Sequence, residues 1–194
     1  MLMNDTIKSI LERRSYKAFR SDPIEDEKLE TIIEAAKYAP TGMNRQAWHF
    51  TVVRSAEGKA KFKAAFDKFV KEKGPFGPPP GVKMPPQDPN IIMKPENEMR
   101  GAPVMIIVSG DASVPTIMQD CLLATENLYI SAASLGIMSG WSHMVTKDLF
   151  GEEEYCREFG IPEGYKVFSA SFFGYPEGPA KDRGPRKEGT VTFI

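Results

Sequence analysis

Two short polar segments near the start of the chain hold residue types that could bind a nucleotide-like ligand. The first is Arg13-Arg14-Ser15, followed closely by Lys17. Its guanidinium, ammonium and hydroxyl groups are donors, and fixed positive charge suits a phosphate. The second segment runs from Pro40 to Trp48 and includes Asn44 and Gln46, whose amides both donate and accept hydrogen bonds. Together these groups suit a phosphorylated heteroaromatic ligand.

Each segment taken alone also has an ordinary structural explanation. Two arginines and a serine at the end of a helix are typical of a solvated terminus, because cations are favoured beside the C-terminal carbonyl groups. Asn44 and Gln46 in a loop are typical of turn residues that satisfy their own backbone. The chemistry therefore depends on whether the segments come together in the fold.

Hydrophobic spacing predicts the elements that would position these segments. Ile7, Ile10 and Leu11 mark a short first helix that places Arg13 at its C-terminal end. Further helices are predicted over 25–38, 55–73 and 115–135, with a short acidic helical region within 146–159. Strands are predicted over 49–53, 104–109, 166–174 and 190–194, and a basic turn over 181–187.

The order of these elements predicts an α+β fold, layered, with a mixed central β-sheet flanked by helices. Helices separate the strands, but strict βαβ alternation is missing. The strand over 104–109 is apolar on both faces and should therefore be central. The helix over 115–135 carries apolar residues on more than one side, which favours burial of one side by a second subunit.

A proline- and glycine-rich segment interrupts this pattern at about 74–99. Eight of the sixteen prolines fall between Pro75 and Pro95, together with Gly77 and Gly81, and Gly74 directly precedes them. Proline removes backbone donors and glycine disfavours regular structure, so the segment is expected to be extended. Two interpretations stay open, a solvated linker or an arm that covers a substrate or a partner.

Composition sets limits on the kind of protein. A chain of 194 residues, 41% of them hydrophobic, predicts a single domain over 1–194. The net charge of −1 favours neither a nucleic acid nor an anionic membrane as partner. The two cysteines and two histidines show no metal-ligand spacing, so no metal site is expected. Without an apolar leader or an apolar run of membrane-spanning length, the expected location is the cytoplasm.

The polar segments, taken in order, resemble those of the nitroreductase family of FMN-dependent oxidoreductases. In that family an Arg-Arg-Ser segment precedes an Ala-Pro-Ser/Thr-x-x-Asn-x-Gln-x-Trp segment, and this chain has Ala39-Pro-Thr-Gly-Met-Asn-Arg-Gln-Ala-Trp48. The loop from Gly136 to Met144 and the turn that holds Lys181 and Arg183 match the later family segments. The resemblance implies FMN as cofactor, NADH or NADPH as electron donor, and an intertwined homodimer with shared flavin sites. It also implies a ping-pong reaction with a nitroaromatic, quinone or related small-molecule acceptor.

The same resemblance implies a role for each matching residue. The flavin performs the redox step, so no side chain is predicted to be catalytic. The first segment and the basic turn would hold the phosphate, the ribityl chain or the ring edge, and the Pro40 segment would reach the partner's flavin. Backbone amides near His143 and Met144 would face flavin N5 and O4. The predicted cofactor-binding residues are Arg13, Arg14, Ser15, Lys17, Pro40, Thr41, Gly42, Asn44, Gln46, Ser142, His143, Met144, Lys181 and Arg183.

Alternatives and one departure from the family remain. The chain could be a non-catalytic flavin store or sensor, or a family member with another flavin chemistry such as dehalogenation. His143 as a general acid or metal ligand is less favoured, because the only other histidine is His49. Some family members place a flavin-contacting asparagine in the helix after the first strand, and here the stretch 62–68 has none.

Overall fold

A four-stranded β-sheet divides the molecule into two helical layers. The structure is a computed structural model that describes residues 2–74 and 89–194. Spatially the strands follow the order β1-β2-β4-β3, and each of the three ladders is antiparallel. The strands are β1 (Trp48–Val53), β2 (Val104–Asp111), β3 (Met138–Trp141) and β4 (Tyr165–Gly174).

The predicted helices are confirmed, with small changes at their ends. Asn4 begins the first helix by accepting a hydrogen bond from the Ile7 N–H at 2.9 Å, and Ser55 caps the third in the same way through the Gly58 N–H. These bonds satisfy donors that a helix leaves unpaired. The helices are α1 (Asp5–Glu12), α2 (Asp26–Lys37), α3 (Ala56–Lys73), α4 (Ile117–Ser134) and α5 (Glu153–Glu158).

Alternating side chains of β2 build both cores, which confirms its predicted central place. Met105 and Ile107 are completely buried in the layer that contains α3 and α5. Ile106 and Val108 are equally buried on the other face, against α2 and α4. Successive side chains of a strand point to opposite faces, so a continuous apolar run is what a strand covered on both sides requires.

Helix α4 is buried on one side and apolar on another that the described residues leave partly exposed. Cys121 and Leu128 lie in the core, whereas Met118, Leu122 and Leu123 are about half exposed. The expected excess of apolar surface is therefore present. It forms a stripe at i, i+4 and i+5 along the N-terminal half of the helix.

The α+β class is confirmed, while the pairing within the sheet differs in detail from the mixed sheet that was expected. In the described residues, parallel pairing is confined to an isolated bridge between Ser15 and Ser139. Strands β2 and β3 do run parallel to each other, as their connection through α4 favours, but β4 lies between them. The sequence pattern shows strand directions better than it shows which strands are neighbours.

Two predicted segments differ from expectation. Residues 138–141 were expected to belong to a loop and instead form β3, a strand of four residues held by β4 on one side and by Ser15 on the other. The predicted strand 190–194 forms no ladder within the described residues. Its Phe193 and Ile194 side chains are fully exposed. A strand needs a partner, and the tail has none in the part of the chain that the structure describes.

The proline-rich segment lies partly outside the described residues, which exclude 75–88. The later part, from residue 89 onwards, is described. It includes a short helical turn, Glu96–Gly101, where an extended segment was expected. The Lys94 N–H donates to the Lys17 carbonyl at 3.0 Å, so the chain at Lys94 lies beside the first polar segment. Among the described residues no helix is both long and apolar enough to cross a membrane.

Replacing Tyr175 by phenylalanine is expected to make the free energy of unfolding depend less on pH in the acid range. The Tyr175 hydroxyl donates to Glu25 at 2.6 Å and accepts from Lys28 at 2.8 Å. The hydrogen bond from Tyr175 to Glu25 is the main cause that lowers the pKa of Glu25 to about 2. A lowered carboxyl pKa stabilises the folded state above the ordinary carboxyl range, and that stabilisation disappears as the pH falls towards 2.

Denaturant unfolding of both proteins at neutral and acid pH tests this expectation. In Tyr175→Phe the folded and unfolded pKa values of Glu25 lie closer together, so the free energy of unfolding should depend less on acid pH. Tyr38→Phe is the matched control, because that ring is 80% exposed. Identical pH dependence in the parent and Tyr175→Phe would contradict the role of the hydrogen bond.

Candidate functional site

The first polar segment is fixed to the sheet edge at β3. The Tyr16 N–H donates to the Ser139 carbonyl at 3.0 Å, and Ser15 bridges the same residue. Three residues further on, the Phe19 N–H donates to the Arg100 carbonyl at 2.9 Å. The chain from Arg13 to Phe19 therefore lies between β3 and the Glu96–Gly101 turn, and its backbone is held at both ends.

The basic turn near residue 183 meets this segment. The Arg183 guanidinium donates to the Arg13 carbonyl across 170 positions of sequence. Lys181 is close enough to Lys17 for its charge to lower the pKa of the Lys17 ammonium. The structure thus brings Arg13, Lys17, Lys181 and Arg183 to one place. Two basic segments that are remote in sequence thus lie next to each other, and their shared role in holding a phosphate stays a prediction.

The pKa of Lys17 reports on the charge around it. Desolvation by the surrounding protein is the largest cause of its lowering, and repulsion from Arg100 is the next. Glu96 acts in the opposite direction. A cation whose neighbours disfavour its own charge lies in a positive potential, and such a potential favours an anionic ligand.

The Arg13 side chain has a donor without a partner. Its Nε is buried and finds no hydrogen-bond acceptor among the described residues. Glu126 Oε1 lies 3.6 Å from this Nε, an ion-pair distance that is too long for a hydrogen bond, and the Tyr129 ring centroid lies 5.7 Å from the guanidinium carbon. An orphaned guanidinium donor within a cluster of cations fits a phosphate oxygen.

Arg14 has a local use instead. Its Nη1 donates to the carbonyls of Leu11, Glu12 and Arg13 at 2.9, 3.0 and 3.0 Å. These are carbonyl groups at the C-terminal end of α1, which the helix leaves without donors. The ordinary interpretation of an arginine at a helix end therefore describes Arg14, and its cofactor role stays a prediction.

The second polar segment forms a strained loop anchored on α4. Met43, Asn44 and Gln46 all have left-handed backbone angles, with φ of 56, 53 and 49°. The Gly42 N–H donates to the buried Asp120 carboxylate at 3.2 Å, and the Gln46 side-chain amide donates to Asn44 Oδ1 at 3.1 Å. Left-handed non-glycine residues persist where the surroundings determine them, and they cluster at functional sites.

Arg13, Lys17, Lys181 and Arg183 are called the Arg13 cluster below. Within the described residues of one chain, this loop and the Arg13 cluster lie apart. The loop is held by Asp120, whereas Arg13 lies against Glu126 and Tyr129. Asp120 and Tyr129 are nine residues apart on α4, which at about 100° per residue places them on opposite sides of the helix. One chain therefore supplies two separate halves of the predicted site. Pro40, which precedes the loop, is exposed.

The third segment leaves β3 through a short π-helical turn, Met144–Asp148. Ser142 is buried and its N–H donates to the Ala170 carbonyl at 3.0 Å, so its amide is already used. The N–H groups of His143 and Met144 have no acceptor among the described residues. The exposed His143 ring contacts the Trp141 ring edge to face at 5.7 Å. Two backbone donors without an acceptor thus lie beside two exposed aromatic rings.

The residues that sequence reasoning missed are charged groups inside the protein. Arg100 is 5% exposed and Asp120 is 3% exposed. Asp120 had a signal, since it is a carboxylate directly before the apolar residues Cys121, Leu122 and Leu123 of α4. Arg100 had only its spacing of four positions from Glu96, because its other partners, Tyr16 and Trp141, are distant in sequence.

Two concave surfaces formed by the described residues lie elsewhere. One of about 690 Å³ runs along the exposed face of α2, and one of about 290 Å³ lies between α1, α2 and α4. Neither is lined by a predicted cofactor-binding residue. The described residues hold no cluster of potential metal ligands.

Comparison with known proteins gives a consistent result. The sequence model of the nitroreductase family matches residues 10–175 of this chain. A protein of Archaeoglobus fulgidus, provisionally named NADH dehydrogenase/NAD(P)H nitroreductase, is 32% identical over 176 residues, which cover 90% of this chain and 87% of that protein. A crystal structure of a nitroreductase with bound FMN from Bacteroides fragilis has 30% identity and a TM-score of 0.75, and the match covers 99% of this chain and 100% of that one.

A more distant structure shows the fold alone. An iodotyrosine deiodinase bound to FMN and 3-iodo-L-tyrosine has 20% identity to this chain and a TM-score of 0.70, over 97% of this chain and 98% of that one.

Proposed function

The chain belongs to the nitroreductase family, and on that premise we propose that it is an FMN-dependent oxidoreductase. It takes electrons from NADH or NADPH and passes them to a nitroaromatic, a quinone or a related acceptor. The observation that carries the proposal is the convergence of Arg13 and Arg183, from opposite ends of the sequence, beside Lys17 and Lys181. Four cationic side chains, one of which carries a donor without a hydrogen-bond partner, fit the dianionic phosphate of FMN.

The chain's own residues have distinct tasks in this proposal. Arg13, Lys17, Lys181 and Arg183 hold the phosphate, and Ser15 adds a hydroxyl beside them. The unpaired N–H groups of His143 and Met144 donate to the edge of the flavin ring, where they stabilise negative charge. When bound, FMN supplies the redox chemistry, accepting electrons from NAD(P)H and giving them to an acceptor that uses the same open slot in turn.

We further propose a homodimer in which each flavin site is shared. The loop from Thr41 to Gln46 contacts the opposite side of α4 from Arg13, so it serves the partner's flavin rather than its own. The exposed stripe Met118, Leu122 and Leu123 offers the apolar surface that an obligate interface buries. The tail 190–194 is free to pair with an edge strand of the second sheet.

Two free cysteines are consistent with the cytoplasm as the proposed location. Cys121 is buried and Cys156 is partly buried, and neither is part of a disulfide. A reducing compartment keeps such thiols as they are.

An absorbance spectrum with anaerobic reduction tests the proposed function. The purified protein should be yellow, and NADH or NADPH should bleach it rapidly without oxygen. A protein bleached only by dithionite would be a flavin store or sensor, and a protein that binds no FMN would contradict the proposal altogether. Rapid bleaching followed by turnover only with a halogenated substrate would identify dehalogenation.

A further inference from the structure

A buried ion pair lies directly behind the proposed flavin site. Arg100 Nε donates to Glu96 Oε2 at 2.6 Å, and its Nη2 donates to Glu96 Oε1 at 2.8 Å. Both nitrogens face both oxygens, which is the two-point geometry of a strong arginine–carboxylate pair. The Arg100 side chain is 6% exposed and that of Glu96 is 18% exposed. Neither residue was singled out by its sequence pattern.

The same guanidinium also touches both segments that the proposed site uses. Arg100 Nη1 donates to the Tyr16 carbonyl at 3.3 Å, and Nη2 lies 3.4 Å from the Trp141 carbonyl. Tyr16 stands between Ser15 and Lys17, and Trp141 directly precedes Ser142. One planar group therefore connects the phosphate-binding segment with the loop proposed to face the ring.

The backbone around Arg100 is built to keep it there. Met99 and Arg100 are both left-handed, with φ of 53 and 56°, a conformation that persists only where the surroundings determine it. A Cβ atom on Gly140 would lie 2.4 Å from the Tyr16 carbonyl oxygen and 2.8 Å from Arg100 Nη1. Glycine at this position thus allows the three backbone segments to approach around the guanidinium.

The charge of the pair reaches the site. Arg100 lowers the pKa of Lys17 and Glu96 raises it. In a poorly solvated region a charge acts over a longer distance than it does in water. A change of charge at either residue should therefore be felt by a ligand held beside Lys17.

We propose that Arg100 is a positioning residue for the flavin site, one that fixes residues 15–17 against residues 141–142 and whose charge, balanced by Glu96, sets the reduction potential of the bound flavin. The inference rests on the proposed function, since it assumes that these two segments hold FMN. Reduction adds electrons to the flavin, so a positive charge nearby favours the reduced form and a negative charge disfavours it.

Three variants separate position from charge. Arg100→Gln removes both, and it should weaken FMN binding by roughly tenfold or more and lower the flavin midpoint potential. Arg100→Lys keeps the charge but cannot span two carbonyls and a carboxylate, so FMN binding should weaken while the potential stays near that of the parent. Glu96→Gln leaves Arg100 in place without its counter-charge, so the potential should rise.

The measurements are FMN titration of the apoprotein, spectroelectrochemical titration of the holoprotein, and thermal unfolding. Glu154→Gln is the matched control, because Glu154 pairs with Lys68 at 2.8 Å on the exposed surface of α3 and α5. Opposite shifts of the potential in Arg100→Gln and Glu96→Gln would support the proposal. Equal shifts, or none, would show a merely structural ion pair and overturn it.

Three further outcomes are decisive. If Arg100→Gln does not fold, Glu96→Gln decides alone, since an unchanged or lowered potential in that variant overturns the role of the charge. If the parent protein binds FMN but Arg100→Lys binds it equally well, the positioning role is wrong while the proposed function stands. If the parent binds no FMN, the proposed function is wrong and this inference falls with it.

Discussion

Replacing Arg183 by alanine is expected to weaken FMN binding by about ten- to more than a hundredfold. A charge-assisted hydrogen bond contributes about 1.5–3 kcal/mol, and each 1.4 kcal/mol corresponds to roughly a factor of ten. The Arg183 guanidinium lies against the Arg13 carbonyl and is part-buried, so its order is already established before a ligand arrives. Less side-chain entropy is then lost on binding, and the contact should approach the upper part of this range.

Titration of the apoprotein with FMN and with riboflavin separates phosphate binding from ring binding. Riboflavin lacks the phosphate, so its affinity for Arg183→Ala should equal that for the parent. Arg186→Ala is the matched control, since Arg186 is an exposed arginine in the same turn. Equal retention of FMN by variant and parent, or an equal loss of both ligands, would remove Arg183 from the phosphate site.

FMN is also expected to tighten the dimer by about four orders of magnitude. If FMN binds only where two chains complete the site, each site at a free concentration one hundred times Kd adds about 2.7 kcal/mol, and two sites multiply their effects. The structural reason is that the Thr41–Gln46 loop and Arg13 contact opposite sides of α4. By the same linkage, dilution of the holoprotein should release FMN.

Sedimentation of the protein with and without FMN, over a wide range of protein concentration, measures this linkage. Leu122→Glu places a charge in the exposed stripe of α4, and it should give a folded monomer that no longer retains FMN. A stable monomer with one FMN per chain at full affinity would refute the shared site. It would also remove the roles given to Thr41 and Asn44.

Local signals predict the helices and the central strands because these elements carry their own hydrophobic period. α2, α3 and β2 appear within a few residues of their predicted ends. β3 could not be predicted, since Met-Ser-Gly-Trp has little strand preference and becomes a strand only between β4 and Ser15. The position of β4 between β2 and β3 is likewise a property of the assembled sheet.

The candidate site likewise contains residues that the sequence predicts and one that it does not. Arg13, Lys17, Lys181 and Arg183 could be grouped from the sequence through the family resemblance, and the structure brings them together. Arg100 could not be found, because its burial depends on carbonyl groups of residues 16 and 141 and on a left-handed turn. The position of Arg100 is decided by tertiary contacts, and a pattern of neighbouring residues in the sequence does not reveal such contacts.

The position of β4 has a consequence for the growing polypeptide on the ribosome. β4 is the last strand of the sheet to be synthesised, yet it fills the gap between β2 and β3. Until residues 165–174 leave the exit tunnel, both facing edges lack their partner, and open edges invite pairing with other chains. The Arg13 cluster must wait longer still, since Arg183 follows β4. A nascent chain thus completes its sheet late and can load its cofactor only afterwards.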